Sequence, residues 1–445
     1  MPSRAVEIVG ATNVTDDPAQ LATYEVDGMR PGAAARPGTA GEIAELVKLA
    51  AAEKLAVIPT GARTKLGIGM PPARYDLAID MTRLDRVISY DPGDLTLSVE
   101  AGIPLTKLAA ALAEHKQFLP LAVPLYERAT IGGTLASGVD SPLRQMYGTT
   151  RDFVLGMEFV TGDGALAKSG GRVVKNVSGY DLHKLMLGAI GSLGVITRVN
   201  LKTFPLAAET RGWLAGFARA EEAFTFAKSI RKSPLAPQTL EIFDGPAAAL
   251  LGSALPIGRT EWSVAISVAG NERVLERSAG DLQNMSSNAN AVAFGALDAA
   301  AALELCAAIR EFPALTANKF TDCVIAKVTA LPTQMAETVR TLKNIATERR
   351  LPCAVFARGV GVIYFALLPT ERDATTMTRL AQCAKEIVSG AGKNNRGMIL
   401  RSPLELKREM NVWGTPGEDF PLMQHVKQAF DPHGIFAPGR FVGGL

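Results

Sequence analysis

Lys175-Asn176-Val177-Ser178-Gly179-Tyr180-Asp181-Leu182-His183-Lys184-Leu185-Met186-Leu187-Gly188-Ala189-Ile190-Gly191-Ser192-Leu193-Gly194-Val195-Ile196-Thr197 is the stretch whose reading decides the fold. A polar, glycine-punctuated turn passes into a short apolar segment, read as a helix, and then into a tight glycine loop entering a strand. Backbone rather than side chains therefore faces something large, which fits a cofactor. Gly179 and Gly194 allow close approach, and Asn176 and Tyr180 offer hydrogen bonds.

Upstream, Thr39 followed three residues later by Glu42 makes a capping-box pattern. Ile43, Leu46, Val47 and Ala50 then recur at helical spacing, and the apolar run Leu55 to Pro59 reads as a buried strand. The loop after it, Thr60-Gly61-Ala62-Arg63-Thr64-Lys65-Leu66-Gly67-Ile68-Gly69, offers unblocked N–H groups, two hydroxyls and two cations, a composition suited to a pyrophosphate. It matches neither the Walker pattern, lacking Gly-Lys-Ser/Thr, nor the Rossmann pattern, since Met70-Pro71-Pro72 blocks an immediate helix. A structural glycine turn is the competing reading. Thr130-Ile131-Gly132-Gly133 to Gly138 again packs small residues where a ring or phosphate could approach, or where elements pack tightly. Thr161-Gly162-Asp163-Gly164 reads as a hairpin turn and not as a dinucleotide fingerprint, because no helix follows it.

A formal charge of +3 over 445 residues, with Lys and Arg scattered, gives no support to a nucleic-acid surface. Cys306, Cys323, Cys353 and Cys383 lack C-x-x-C spacing and read as buried free thiols of a reducing compartment. The four histidines form no H-x-x-x-H pair, so no protein-bound metal is expected. Neither a signal peptide nor an apolar run of about 18 residues is evident, which points to a cytoplasmic protein held to a membrane at most through a partner. From Leu206 the texture changes to alternating helices and strands without a nucleotide loop, as in a domain that covers a site. The helix Asp419 to Phe430 is stopped by Asp431-Pro432-His433-Gly434, and a turn-rich tail follows that is suited to packing back on another domain.

Four pieces in this order resemble the FAD-binding domain of the vanillyl-alcohol oxidase family, the PCMH-type domain: Pro59 to Gly69, Thr130 to Gly138, Tyr147-Gly148-Thr149-Thr150-Arg151-Asp152, and Lys175 to Thr197. The resemblance implies an α+β chain. A two-subdomain PCMH-type FAD-binding domain spans 27–207, an α/β cap spans 208–418, and a C-terminal helix and tail, 419–445, return to the FAD domain. In that family the first loop cradles the FAD pyrophosphate, here Pro59, Thr60, Gly61, Ala62, Arg63, Thr64, Lys65, Leu66 and Gly67. The later segments line the flavin and adenine halves, here Thr130, Ile131, Gly132, Gly133 and Gly138, then Tyr147, Gly148, Arg151 and Asp152, then Asn176, Gly179, Tyr180, Asp181, Gly194 and Ile196. Some members attach FAD through a histidine in the first loop; Ala62-Arg63-Thr64 offers none, so non-covalent FAD is implied.

Within the family, the Lys-Asn-x-x-Gly-Tyr-Asp-Leu stretch and the Asp-Pro-x-Gly-x-x-x-Pro-Gly-Arg tail most resemble the FAD-binding (E-type) subunits of bacterial glycolate oxidase. That implies a complex with a second FAD subunit and an iron–sulfur subunit, oxidising glycolate or D-lactate to the 2-oxo acid. Related D-2-hydroxy-acid dehydrogenases carry a metal-binding histidine pair in the cap, and this chain has none, so a role in relaying electrons stays open beside direct oxidation. A self-sufficient FAD oxidoreductase of another alcohol or sugar acid and a flavin-free structural subunit are the competing readings. Oxidation of a 2-hydroxy acid needs a hydride acceptor, a base for the hydroxyl proton and a cation for the carboxylate. Arg358, Arg401 and Lys327 of the cap are the candidate cations, and the base is unassigned.

Overall fold

The helix Ala40–Glu53 forms where Thr39 Oγ1 accepts the Glu42 N–H at 3.1 Å, while the Glu42 carboxylate reaches back to the N–H of Gly38 at 2.7 Å. It ends at Lys54 in the left-handed region and buries Ile43, Leu46, Val47 and Ala50. Those side chains rest on a four-stranded sheet ordered Val14–Thr15, Ala33–Ala35, Leu77–Asp80, Val57–Thr60, whose last three strands run parallel. In this computed structural model residues 2–172, 179–252, 258, 260–390 and 396–445 are described.

A second, antiparallel sheet is ordered Val87–Asp91, Thr96–Glu100, Val195–Lys202, Val154–Val160, Leu166–Gly170. The Asp163-Gly164 turn joins its last two strands as a hairpin, as the sequence predicts. The helices Leu105–Ala113 and Ile131–Ser137 cover this sheet through Leu108, Leu112, Ile131 and Leu135. Val160 and Val195 belong to the core of the first sheet, so the two sheets share a wall.

The remainder builds one eight-stranded antiparallel sheet ordered Ala293–Leu297, Glu209–Phe217, Trp262–Gly270, Thr239–Asp244, Cys353–Arg358, Val362–Leu367, Val324–Thr329, Arg396–Arg401. Alternation along Glu209–Phe217 shows how both faces are buried. Trp213, Ala215 and Phe217 pack on one side with the helices Ala220–Lys232, Glu272–Asn288, Met335–Glu348 and Ala374–Gly390. Leu214 packs on the other with Gly245–Leu251 and Ala299–Lys319. The chain end then returns to the first sheet: Val57 donates to Ile435 O at 2.7 Å, Ala437 donates to Val57 O at 2.8 Å, and Phe436 is fully buried.

Three local expectations are corrected. The apolar segment after Tyr180 is only a single turn of 3-10 helix, Leu182–Leu185, because Gly188 and Gly191 at φ 80° and 78° and Ile190 at φ 46° turn the chain repeatedly. Thr130 to Gly138, read as a glycine cluster, contains a helix capped by Thr130 and closed by Gly138 at φ 60°. Cys306 is exposed on the helix Ala299–Lys319, unlike Cys323 and Cys383, which are buried. Among the described residues no helix is long and apolar enough to cross a membrane.

Candidate functional site

Between the two N-terminal sheets lies a cavity of about 860 Å³ of empty space open to solvent. Its floor is the predicted loop, Pro59 through Leu66. The N–H groups of Gly61 to Lys65 donate to no acceptor among the described residues, so successive donors remain free beside the cavity. Arg63 adopts φ 61°, its Nη1 donates to the buried Asp80 Oδ2 at 2.8 Å, and its guanidinium lies 4.4 Å from the centroid of the Tyr24 ring. Tyr24 also donates to Asp80 at 2.6 Å, and burial pushes its phenol well up. Among the described residues Lys65 donates to two neutral oxygens, Thr64 Oγ1 and Pro124 O, both at 3.1 Å. Burial without an ion pair pulls its ammonium down to about 8.

Two cations that the sequence reading did not select hold this loop. Arg440, buried in the C-terminal tail, donates to the carbonyls of Leu66, Ile68 (2.7 Å) and Met70 (3.4 Å), and it also borders the cavity. Lys407, from the helix Leu404–Glu409, donates to both oxygens of Asp27 and to Gly67 O at 2.7 Å. The Pro-Gly-Arg of the tail was the one sequence signal for Arg440, and Lys407 carried none, since the partners of both lie more than 300 residues away.

The opposite wall is glycine-lined for a steric reason. A Cβ on Gly132 would sit 2.8 Å from both Ala101 Cβ and Ala101 O, and one on Gly194 would sit 2.8 Å from Val160 O. Thr130, Gly132, Gly133, Gly194 and Ile196 line the cavity, joined by Met186, Ala189, Ile190 and Gly191, which the sequence reading left out. Ile190, a β-branched residue at positive φ, is fixed by donating to Ala136 O at 2.8 Å. Lys427 secures the same wall from the tail helix, donating to Ser192 O, Asp431 and Phe436 O at 2.7, 2.7 and 2.9 Å.

Other predicted ligands lie elsewhere. Ile131 is buried behind the wall, and Gly67 faces away with its carbonyl on Lys407. The Tyr147 ring packs edge-on to Phe118 and Phe204, and its hydroxyl accepts from Gln238 Nε2 at 3.1 Å. Arg151 is exposed, and Asp152 serves as a cap, accepting from Thr149 N and Oγ1 at 2.7 and 2.8 Å. Gly179, Tyr180 and Asp181 are exposed, Tyr180 at 90%, and Asp181 pairs with Lys184 at 2.6 Å. Asn176 lies outside the described residues.

Gly138 and Gly148 border a second, smaller cavity of about 410 Å³ where the N-terminal part of the chain meets Lys327 of the eight-stranded sheet. The helix Ile131–Ser137 and the residues after it border both spaces: Gly133, Ala136 and Ser137 line the larger, and Gly138 to Ser141 line the smaller. Of the three candidate cations, Lys327 lines this smaller cavity. Its ammonium has no hydrogen-bond or ion-pair partner among the described residues, and burial holds it below the usual lysine range. Arg358 is buried and already paired, to Asp140 Oδ2 at 2.8 Å and to Glu241 at 3.2 Å; burial opposes its charge, and these carboxylates raise it. Arg401 is exposed at the end of the edge strand Arg396–Arg401. Among the described residues no group of three or more His, Cys, Asp or Glu is placed to hold a metal.

The pattern of the FAD binding domain family matches residues 31–170, and that of the FAD linked oxidases, C-terminal domain, matches 207–399 and 406–441. The chain is 24% identical over 453 residues to glycolate oxidase subunit GlcD of Bacillus subtilis (strain 168), covering 98% of this chain and 95% of that one. It is 40% identical over 162 residues to glycolate oxidase subunit GlcE of Escherichia coli (strain K12), covering 36% and 46% respectively. A crystal structure of p-cresol methylhydroxylase with substrate bound superposes with a TM-score of 0.79 at 15% identity, over 98% of this chain and 95% of that one, and shares its fold.

Proposed function

This chain belongs to the FAD-linked oxidases and is an FAD-dependent oxidoreductase, and from that premise we propose that it oxidises a 2-hydroxy acid to the 2-oxo acid within a complex of the glycolate oxidase kind. Both glycolate oxidase relatives are named as subunits, which supports a multi-subunit setting; the second FAD subunit and the iron–sulfur subunit implied by the resemblance are part of this proposal.

The residues present fit FAD. The free N–H groups of Gly61 to Lys65, with the Lys65 ammonium, make an anion-binding cradle for a pyrophosphate. The glycine wall Gly132-Gly133 and Gly191 to Gly194 admits a flat ring, and no histidine stands in the loop to bond it covalently. When bound, FAD supplies the hydride acceptor. Arg440 and Lys407 keep the loop in shape by occupying its carbonyls, so that its N–H groups point outward.

The single observation that carries the substrate class is Lys327. A half-buried ammonium without a hydrogen-bond or ion-pair partner among the described residues, at a cavity beside the cofactor wall, is a vacant place for a carboxylate. Lys327 binds that carboxylate, and the covering cap excludes water from the junction. The test uses the FAD-loaded chain, alone and with its partner subunits, mixed anaerobically with glycolate or D-lactate while flavin absorbance is followed. Flavin is reduced by the wild type, and Lys327→Met raises KM on the order of 100-fold while FAD content stays unchanged. Equal KM values for the two proteins would remove Lys327 from the reading, and absence of reduction with partners present would refute the proposed activity.

A further inference from the structure

We infer that Asp140 sets the charge capacity of the cavity between the two domains at one carboxylate, so that this site selects 2-hydroxy monocarboxylates over 2-hydroxy dicarboxylates. The inference rests on the 2-hydroxy-acid reading above and deepens it.

Three cations surround the space. Lys327 and Arg144 line it directly, and Arg358 stands immediately behind Asp140. Two of the three are neutralised in place. Asp140 accepts from Arg144 Nη1 through Oδ1 at 3.2 Å and pairs with Arg358 Nε through Oδ2 at 2.8 Å, and Glu241 takes Arg358 Nη1 at 3.2 Å. Above about pH 7, where Glu241 is ionised, three positive and two negative groups leave one uncompensated charge, the Lys327 ammonium. One substrate carboxylate balances it. A second would be an unpaired charge in an enclosed space, close to the Asp140 carboxylate.

The uncharged lining agrees with this balance. The lining also includes Pro120, Leu121 and Phe153, all buried, which accept a short hydrocarbon chain, and its remaining side-chain polar groups are the uncharged hydroxyls of Ser141, Thr149 and Thr150. Asp140 therefore acts as a specificity residue: it holds two guanidinium groups that would otherwise welcome a second anion.

The test compares acids matched in length, D-2-hydroxybutyrate against D-malate and D-2-hydroxyvalerate against D-2-hydroxyglutarate. The FAD-loaded full chain is used in its assembled complex, and kcat/KM is read by dye reduction. The wild type favours each monocarboxylate on the order of 100-fold or more. Asp140→Asn, which frees a guanidinium charge, shrinks that ratio at least ~10-fold, and so does Thr150→Lys, which adds a cation to the lining while leaving every ion pair intact. FAD content and melting temperature are measured for each variant, so a misfolded Asp140→Asn leaves Thr150→Lys to decide. A wild type that oxidises both members of each pair equally well overturns the inference while leaving the proposed function standing. Unchanged ratios in both folded variants overturn it as well, as does no oxidation of any of the four acids by a complex that still oxidises glycolate or D-lactate; no oxidation of those two either removes the underlying reading together with it.

Discussion

Lys65 makes the affinity for FAD depend on pH in a direction that the structure fixes. In the cofactor-free protein burial lowers its pKa from 10.5 to about 8, since its hydrogen-bond partners among the described residues, Thr64 Oγ1 and Pro124 O, are neutral. An adjacent phosphate favours the charged form and restores the pKa toward its ordinary value. Binding therefore takes up a proton wherever the free protein has lost it. Affinity is fully present below pH 8 and is lost as pH rises above it, by up to about tenfold per unit and about 300-fold over the whole interval to 10.5. Stability of the cofactor-free chain moves the other way: between pH 8 and 10.5 the unfolded lysine holds the proton that the folded one has released, so this lysine's contribution to stability rises with pH. The assay is quenching of FAD fluorescence on titration with the apoprotein at pH 7, 8, 9 and 9.5, with thermal melts of the apoprotein at each pH. Lys65→Met binds FAD roughly 10- to 100-fold more weakly at pH 7, from loss of a charged contact worth about 1.5–3 kcal/mol, and its Kd becomes flat from pH 8 upward. The same slope of log Kd in both proteins would refute the placement of Lys65 against the cofactor's phosphates.

Arg440→Ala strips the donor from the carbonyls of Leu66, Ile68 and Met70, costing about 2–4 kcal/mol in urea unfolding and raising the Kd for FAD, because the loop that presents N–H groups loses its clamp. Gly61→Ala places a Cβ 2.1 Å from Thr130 Oγ1; it destabilises by about 1–3 kcal/mol, and the double variant with Thr130→Ala costs less than the sum of the two single changes in a double-mutant cycle. Burial raises Glu241 from 4.5 to about 7, so the folded chain retains a proton that the unfolded chain releases above pH 4.5. Its contribution to stability therefore declines as pH rises from 4.5 to 7 and stays at its lowest beyond, by at most about 3 kcal/mol, and Glu241→Gln flattens that part of the urea-midpoint profile measured at pH 5, 6 and 7.

Much of the cofactor cavity was legible because its information is local. Gly61 to Lys65 read as a loop with unblocked N–H groups because its glycines and the absence of a following helix leave those groups no local acceptor, and the structure, with Arg63 at positive φ, keeps them free among the described residues. Gly132 and Gly194 are required by contacts with Ala101 and Val160, and their spacing in the sequence carries that requirement. Tyr180 and Tyr147 read equally well as ligands, yet one is solvent-exposed and the other is spent in an aromatic cluster, because a motif records residue type and not the direction in which a side chain leaves the backbone.

The sequence by itself determined the order of loops, strands and glycine turns that builds the cofactor wall, and the change of texture near Leu206 that marks the cap. Only the tertiary structure decided which charges are free. Arg358, Arg401 and Lys327 are alike as cations on cap strands, and the pairing of Arg358 with Asp140 and Glu241, the exposure of Arg401 and the isolation of Lys327 follow from which strands and domains meet. The same holds for Arg440 and Lys407, whose carbonyl partners Ile68 and Gly67 stand 372 and 340 residues away. An electrostatic role belongs to a pair of groups and the dielectric between them, and neither exists until the chain has brought distant residues together.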